Sequence, residues 1–497
     1  MRNTRRVLHL MLIMIFLAGQ IFYVRPASGE EELHVFPAPR PVSLVDCVWF
    51  AVYNSFEVRL ARLDLYIAET GLMYSQAVYD TFLYGGASYI EDKRQQLSVF
   101  APDDNQTNNY SAGVTKTLPT GTELTAELSD ERVWNNTIFV SKNPAHEAEL
   151  LLQFKQPVLK NTFGFVDRTN VSVTKLAIKN ADLEMKDKIE ALIADVEKTY
   201  WNLVFAKRRL EIFNGIVEKA RNLQETNKKN FDMGLIEKVD FVASEANLSQ
   251  TEAELLVVEN ESRQAEENLK LTMNQNAENR ITSAERFNGR YLDRDLPGCL
   301  KEAFEKRRDY KIRERDVKIN GLELSMKDNE RWPEVDLTGS MSMNGLEGEF
   351  KKAMGKVTVV DNVYYYAGVE VSFPLENREA QSEYLKAKYE KQSALVSLKQ
   401  VERRIITEVG NAFRRVLAYE NSIGFIKRAA KLEAEKLKEE EKRYKYGRSN
   451  TKRIIDYQRD LLFAEMEEAR YLLNHMIAKI DLDRSMNIIL GKYEDIL

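Results

Sequence analysis

Few residues in this sequence are of the types that carry out chemistry in a protein. The four histidines are scattered along the chain, at His9, His34, His146 and His475. The two cysteines, Cys47 and Cys299, lack the spacing of a metal site, and no glycine-rich phosphate loop is present. No pair of carboxylates stands out from so charged a chain. We therefore predict no catalytic, cofactor-binding or metal site, and we do not expect an enzyme.

The composition favours long helices. The 497 residues include only 22 glycines and 11 prolines, and 30% of them are charged. The formal net charge is -5, from 72 Lys and Arg against 77 Asp and Glu. Because no basic excess is present, a nucleic-acid partner is not expected.

The N-terminus has the pattern of a secretory signal. Three arginines in the first six residues precede an apolar run from Val7 to Val24, and small residues lead to a cleavage point after Gly29. Residues 1–29 are predicted to be removed, and residues 30–43 form an N-terminal extension. An uncleaved membrane anchor is the alternative, since about 18 apolar residues can just span a bilayer.

The rest of the chain is an internal duplication of one unit. The segment from Cys47 to Tyr89 matches the chain from Cys299 onward without gaps, at an offset of 299 minus 47, or 252. The segment from Val196 to Asn274 matches that from Val409 to Asn487, at an offset of 213. Duplication at this scale predicts a repeated architecture.

The repeats set the predicted domain boundaries. The first repeat covers residues 44–274 with strands within 82–157, and the second covers residues 297–487 with strands within 334–374. A linker at 275–296 separates them, and a tail at 488–497 follows. Each copy is predicted to contain a helix of about thirty residues, strands, a very long helix, a turn at glycine and a returning helix.

The long helices have the pattern of a left-handed coiled coil. No proline interrupts the sequence between Pro157 and Pro297 or after Pro374. In the first copy apolar residues recur every seven positions, at Ile189, Val196, Leu203, Leu210 and Val217. A helix from Asn170 to Met233 would be ~95 Å long at 1.5 Å per residue.

The strands alternate between apolar and polar residues. Leu124, Ala126 and Leu128 fall on one face of a strand, with Glu123 and Glu127 on the other. A membrane barrel with a wet lumen requires this alternation, although a half-buried soluble sheet also shows it. The strands of one chain are too few to close a barrel around a lumen, so a ring of copies is expected.

In their order along the chain, these features resemble the TolC family of outer-membrane efflux channels. The matching segments are Ala61 to Asp64, Gln156-Pro157, Tyr200-Trp201, Asn230 to Leu235, Phe373 to Leu375 and Tyr457 to Leu462. The resemblance implies a mainly helical chain with membrane strands. It also implies a homotrimer, with a twelve-stranded barrel among outer-membrane lipids and a helical barrel crossing the periplasm.

The resemblance also implies partners and sites. The channel would work with a periplasmic adaptor and an inner-membrane transporter, as in tripartite efflux and type I secretion. The adaptor would contact two helix-turn tips, which contain Met233, Gly234, Leu235, Gly447 and Arg448. The junction between barrel and tunnel would fall at Pro157 and Pro374.

A narrow gate is implied near the second tip, at Tyr444, Arg453 and Asp456. The family often has two acidic residues one turn apart there, and Arg453 replaces one of them. An ion pair between Arg453 of one chain and Asp456 of another would then replace an acidic ring. A solvated helix face is the alternative for Arg453.

Three points stay open in the sequence. The segment from Tyr110 to Val133 adds a hairpin to the first copy. This hairpin either forms part of the barrel wall or lies outside it. The cysteines occupy equivalent positions about 17 Å apart in a twelve-helix ring, so two free thiols are expected instead of a disulfide. The transported substrate is not indicated, and a non-conducting envelope coiled coil is the alternative function.

Overall fold

The structure, a computed structural model, describes residues 41–95, 97, 101–275, 281–287, 293–359 and 362–494. The predicted signal at 1–29 lies outside these residues, as does the N-terminal extension up to residue 40. The chain forms two compact units. Among the described residues, the sheet unit lies within 67–179 and 315–395, and the helical unit lies within 41–66, 180–314 and 396–494.

The elements follow one another in an order that repeats. They are β1 (Pro41–Val42), α1 (Leu44–Asn54), α2 (Phe56–Gln76), β2 (Thr81–Asp92), β3 (Asn105–Thr117), β4 (Glu123–Asn135), β5 (Ala145–Pro157), α3 (Phe165–Asp232), α4 (Lys238–Thr272), β6 (Thr282–Ser283), α5 (Leu296–Lys306), α6 (Arg308–Asn329), β7 (Glu334–Glu347), α7 (Phe350–Val357), β8 (Val363–Ser372), α8 (Arg378–Lys445) and α9 (Thr451–Met486). Helices α3 and α8 have 68 residues each.

The sheet unit is built on six antiparallel strands among the described residues. Their order is β2-β3-β4-β5-β7-β8, so the strands of this sheet pair in the order in which they occur along the chain. The hairpin β3–β4, which turns at residues 118–122, therefore lies inside the sheet. The first copy of the repeat supplies four strands and the second supplies two.

The two faces of the sheet differ in chemistry. One face exposes large apolar side chains, among them Leu83, Leu124, Leu152, Phe154, Tyr365 and Val369. By the register, the opposite face is polar, and Thr115 and Thr125 approach to 3.3 Å there. The predicted alternation is thus present in the central strands, whereas the edge strands also place Phe82, Tyr364 and Tyr366 on the polar face.

The helical unit buries two equivalent apolar clusters. The first contains Cys47 on α1 together with Ile193 and Leu203 on α3. The second contains Cys299 on α5 together with Ile405 on α8. Both cysteines are free and fully buried, as expected from the sequence.

Local signals explain where the helices begin and end. Ser43 and Asp46 form a reciprocal capping box at α1, and the Asn450 side chain accepts a hydrogen bond from the Arg453 backbone at α9. The thirty-residue helix expected in each copy is broken in two, at Ser55 and at Arg307, which are themselves 252 positions apart. Both residues have extended backbone, so the break is part of the repeat. None of the helices in the described part of the chain is long and apolar enough to cross a membrane.

Candidate gate and adaptor-contact site

Two glycine turns connect the long helices to their returning helices. Gly234 follows α3 with φ of 67°, and Gly447 follows α8 with φ of 68°. Leu235 N donates to Asn230 O at 2.8 Å, and Arg448 N donates to Arg443 O at 2.9 Å. This pattern closes a helix end and needs a residue that adopts left-handed backbone without strain. The predicted tip glycines therefore have one geometry in both copies.

The side chains at the two tips differ. At the first tip Met233 and Leu235 are exposed, and the rings of Phe231 and Phe241 stack at 5.7 Å. The second tip exposes Tyr446 and a group of basic residues. These are Lys442, Arg443, Lys445 and Arg448. The first tip thus exposes apolar side chains beside Lys229 and Lys238, whereas the second exposes mainly basic ones.

A buried polar cluster lies beside the second tip. The Tyr444 hydroxyl donates to Asn227 Oδ1 at 2.5 Å and lies 3.1 Å from Thr451 Oγ1. The Asn227 amide donates to Thr451 Oγ1 at 3.1 Å. Since these residues belong to α8, α3 and α9, the cluster holds three helices together. Tyr444 was among the predicted gate residues, whereas Asn227 and Thr451 were not.

A second polar contact places Arg453 against Glu440 of the same chain. Arg453 Nη1 lies 3.5 Å from Glu440 Oε1, and Ser449 Oγ donates to that same oxygen at 2.6 Å. The hydrogen bond from Ser449, with the charges of Arg443 and Arg453, lowers the pKa of Glu440. Glu440 thus stays ionised at neutral pH and accepts both contacts.

Asp456 stands apart from this contact. It is half-buried one turn after Arg453 on α9, and within the described chain Arg453 pairs with Glu440 instead. The predicted ion pair between Arg453 of one copy and Asp456 of another stays a prediction.

One sequence signal could have revealed the missed residues. Asn227 plus the repeat offset of 213 is Glu440, so the two buried polar residues are equivalent positions in the two copies. A polar residue on the apolar seam of both long helices indicates a specific partner at each.

The two predicted junction prolines lie at the ends of strands that lead into the long helices. Pro157 is the last residue of β5, and Pro374 follows the end of β8 by two residues. Val158 N donates to Val335 O at 2.9 Å and continues the pairing past Pro157. Proline lacks an N–H, so it is suited to the end of a strand.

The polar face of the sheet is acidic. By the strand register it carries Glu123, Glu127, Glu131, Glu147, Glu149, Asp336 and Glu370. Lys155 shares this face and pairs with Asp336 at 2.8 Å. Within the described residues, no group of three or more His, Cys, Asp or Glu side chains is arranged to hold a metal ion.

Comparison with known proteins shows which class this fold belongs to. The structure of a membrane protein from Pseudomonas aeruginosa aligns with a TM-score of 0.66 at 16% identity, covering 89% of this chain and 90% of that one. The CmeC outer membrane channel of Campylobacter jejuni aligns at 0.64 and 14% identity, covering 92% and 90%. The open MtrE outer membrane channel of Neisseria gonorrhoeae aligns at 0.64 and 15%, covering 89% and 88%. The fold is that of outer-membrane channel-tunnel proteins, and the predicted fold class is confirmed.

The sequence itself supports the same class. Residues 90–275 match the model of the Outer membrane efflux protein family. No curated protein matches the sequence. Part of this chain thus matches an outer-membrane efflux family, and its fold is shared with solved outer-membrane channels.

Proposed function

We propose that three copies of this chain form a channel-tunnel that exports substrates from the periplasm or cell interior to the outside. In this proposal a periplasmic adaptor links the trimer to an inner-membrane transporter. The chain supplies a passage and performs no reaction, so its contribution is the shape and charge of that passage.

The observation that carries this proposal is the two-faced sheet. Large apolar side chains are exposed along one face, where water would disfavour them, and acidic residues line the other. Hydrocarbon solvates the first face and a water-filled lumen solvates the second. Because both ends of the sheet are unpaired in one chain, the lumen needs further copies to enclose it.

The two helix tips expose different side chains, which supports the proposal of a partner that contacts the chain through two different surfaces. The first tip offers exposed Met233 and Leu235, which suit an apolar contact. The second offers Arg448 among other basic residues, which suits an acidic contact. An adaptor for this channel would accordingly present an apolar surface to one tip and carboxylates to the other.

The alternative function is a non-conducting coiled coil of the envelope. The long helices fit either function, but a structural coiled coil has no need of an amphipathic sheet. The exposed apolar face of the sheet therefore favours the channel.

Membrane fractionation, followed by single-channel recording of the purified oligomer in planar bilayers, tests the channel. We expect a heat-modifiable oligomer in the outer membrane that conducts steadily. A soluble oligomer without conductance would support the envelope coiled coil.

Photo-crosslinking in cells tests the adaptor. A crosslinker at Leu235 or Arg448 should capture a periplasmic protein that also binds an inner-membrane transporter. The same crosslinker at Leu385, an exposed residue of the sheet unit, should not capture it. Equal capture from all three positions would show that the tips are not a specific contact for the adaptor.

A further inference from the structure

The hairpin β3–β4 is an insertion that the internal repeat makes visible. Thr81, where β2 begins, corresponds at the offset of 252 to residue 333, just before β7, and β5 and β8 each precede a 68-residue helix. The second copy therefore has only β7 and β8 where the first has β2, β3, β4 and β5. The additional pair is β3–β4.

This hairpin is fully paired within the sheet. All 12 residues of β2 pair with β3, from Thr81 with Lys116 to Asp92 with Asn105. On its other side β4 pairs with β5 from Glu123 to Val133. A hairpin folded outside the wall would leave β2 and β5 to pair with each other, and here they do not.

The turn of the hairpin is anchored to the chain that leads into α3. Gly121 and Gly164 both have positive φ, and a Cβ atom on Gly121 would lie 2.7 Å from Gly164 N. Gln156 Nε2 donates to Thr120 O at 3.1 Å. The close approach of two glycines and this hydrogen bond hold the turn in place.

Side chains also cross the insertion. Tyr84 on β2 lies over Gly113 of β3, where a Cβ atom would be 2.5 Å from its ring, and its hydroxyl donates to Glu127 of β4 at 2.7 Å. The polar face thus runs without interruption from β2 to β4. Val114 and Ala126 continue the opposite, apolar face.

The two end strands are unprotected edges. Nearly every residue of β2 and β8 is exposed, and neither strand contains a proline or a lysine. Natural proteins shield such edges or pair them with another strand. These two edges therefore need partners in the assembled protein.

Strand direction and face chemistry select the partner. Five antiparallel pairings separate β2 from β8, so the two strands run in opposite directions. Copies inserted in the same orientation can pair β8 with the next copy's β2, which continues the antiparallel pattern and keeps the apolar face outward. Pairing β2 with β2 would make a parallel contact and reverse the faces.

We propose that β8 of one copy pairs with β2 of the next, and that the inserted hairpin makes the trimer an eighteen-stranded barrel. This inference rests on the proposed trimeric channel. Three copies of six strands give eighteen, where two strands per repeat would give twelve. Since barrel diameter grows roughly linearly with strand number, the barrel is about half as wide again as a twelve-stranded one.

Disulfide cross-linking of the full chain tests the edge pairing. Tyr365→Cys on β8 would be combined in turn with Leu83→Cys, Gly85→Cys and Ala87→Cys on the same face of β2. Oxidation should convert at least one combination from monomer to covalent trimer on a denaturing gel. Tyr365→Cys with Ala126→Cys on the interior strand β4 is the matched control and should stay monomeric. Cys47 and Cys299 are buried and free, so they do not interfere.

Electron cryomicroscopy of the unmodified protein in lipid nanodiscs then counts the strands. We expect eighteen strands in the wall of the trimer. A twelve-stranded trimer with the hairpin outside, a dimer that closes twelve strands, or a cross-link confined to one chain would each overturn the inference. An eighteen-stranded trimer that does not conduct would instead overturn the proposed channel function, but the inference about the number of strands would stand.

Discussion

The Tyr444 hydroxyl donates a 2.5 Å hydrogen bond to the side-chain oxygen of Asn227, a completely buried residue 217 positions earlier in the chain. This bond joins the two long helices, α8 and α3, beside the second tip. In the proposed channel, an opening motion that separates α8 from α3 would break this bond. Its loss should then favour an open gate.

Replacing Tyr444 with Phe should shift the channel toward its open state. The variant removes one buried hydrogen bond, worth about 1 kcal/mol, or roughly fivefold in an equilibrium constant for each copy. Single-channel recording should show a higher open probability. Tyr446→Phe, at an exposed tyrosine two residues away, is the control and should behave as wild type. Unchanged gating in Tyr444→Phe would exclude this bond from the closed state.

Replacing Arg453 with Asp should increase the affinity of the proposed gate for cations. The variant breaks the contact with Glu440 and adds a carboxylate one turn from Asp456. Divalent and trivalent cations should block the channel at lower concentrations than in wild type. Lys452→Asp makes the same charge change at the neighbouring exposed position and should alter block much less. Equal conductance and block in Arg453→Asp and wild type would remove Arg453 from the gate.

Replacing Arg308 with Met should strongly destabilise the helical unit. Its guanidinium donates to Glu190 Oε2 at 2.5 Å, and Glu190 is fully buried. An unpaired buried carboxylate typically costs about 3–5 kcal/mol. Thermal unfolding should show a large loss for Arg308→Met and a smaller one when Glu190→Gln is added. Lys301→Met, at an exposed site on α5, should have little effect. The absence of rescue by Glu190→Gln would argue against an uncompensated charge.

Glu197 should make stability depend on pH. It is buried and accepts a hydrogen bond from Tyr493 at 2.6 Å, and burial raises its pKa above the ordinary 4.5. A raised pKa means that the folded protein binds the proton more tightly than the unfolded chain. The stabilisation is therefore complete below pH 4.5 and is lost as pH rises through the folded pKa.

The Glu197→Gln variant should lack this loss. It should gain stability relative to wild type at neutral pH and gain none at pH 4, measured as the unfolding temperature at both pH values. Tyr493→Phe removes the hydrogen-bond donor and should cost about 1–3 kcal/mol. A wild-type advantage over Glu197→Gln at neutral pH would contradict the sign of this effect.

Both cysteines should stay unreactive in the folded protein. Burial, with smaller contributions from Asp46 and Glu285, raises the pKa of Cys47 to about 12, and burial also raises the pKa of Cys299. Thiolate is the reactive form, so maleimide at pH 8 should label neither residue before denaturation and both after it. Leu385→Cys provides an exposed control that labels at once. A non-reducing mass two daltons below that of the free thiols would reveal a disulfide instead.

The parts of the fold that could be predicted are those that local sequence controls. Gly234 and Gly447 were recognised as helix turns because a positive φ restricts the residue type at that position. The coiled-coil seam was recognised because a heptad repeat records which side of a helix is buried. The strand faces followed from alternation in the same way. The breaks at Ser55 and Arg307 were missed because neither proline nor glycine marks them.

The tip residues remain predictions, since their proposed contacts are with another protein. Tyr444 was predicted through family resemblance, but its partners Asn227 and Thr451 are known only from packing. The pairing of Arg453 with Glu440 likewise depends on how α9 packs against α8. The type of a side chain shows that it needs a polar partner, but it does not show which residue that partner is.

By itself the sequence determined that the chain is a duplicated unit of alternating strands and long amphipathic helices, because periodicity and offset are properties of residue order. Only the tertiary structure decided that β3 and β4 lie inside the sheet. The alternation in Glu123 to Ser129 is the same whether that strand pairs with β5 or folds outside the wall. Backbone hydrogen bonds decide between these two arrangements. Because nearly every residue type can form them, the sequence does not show which strands they join.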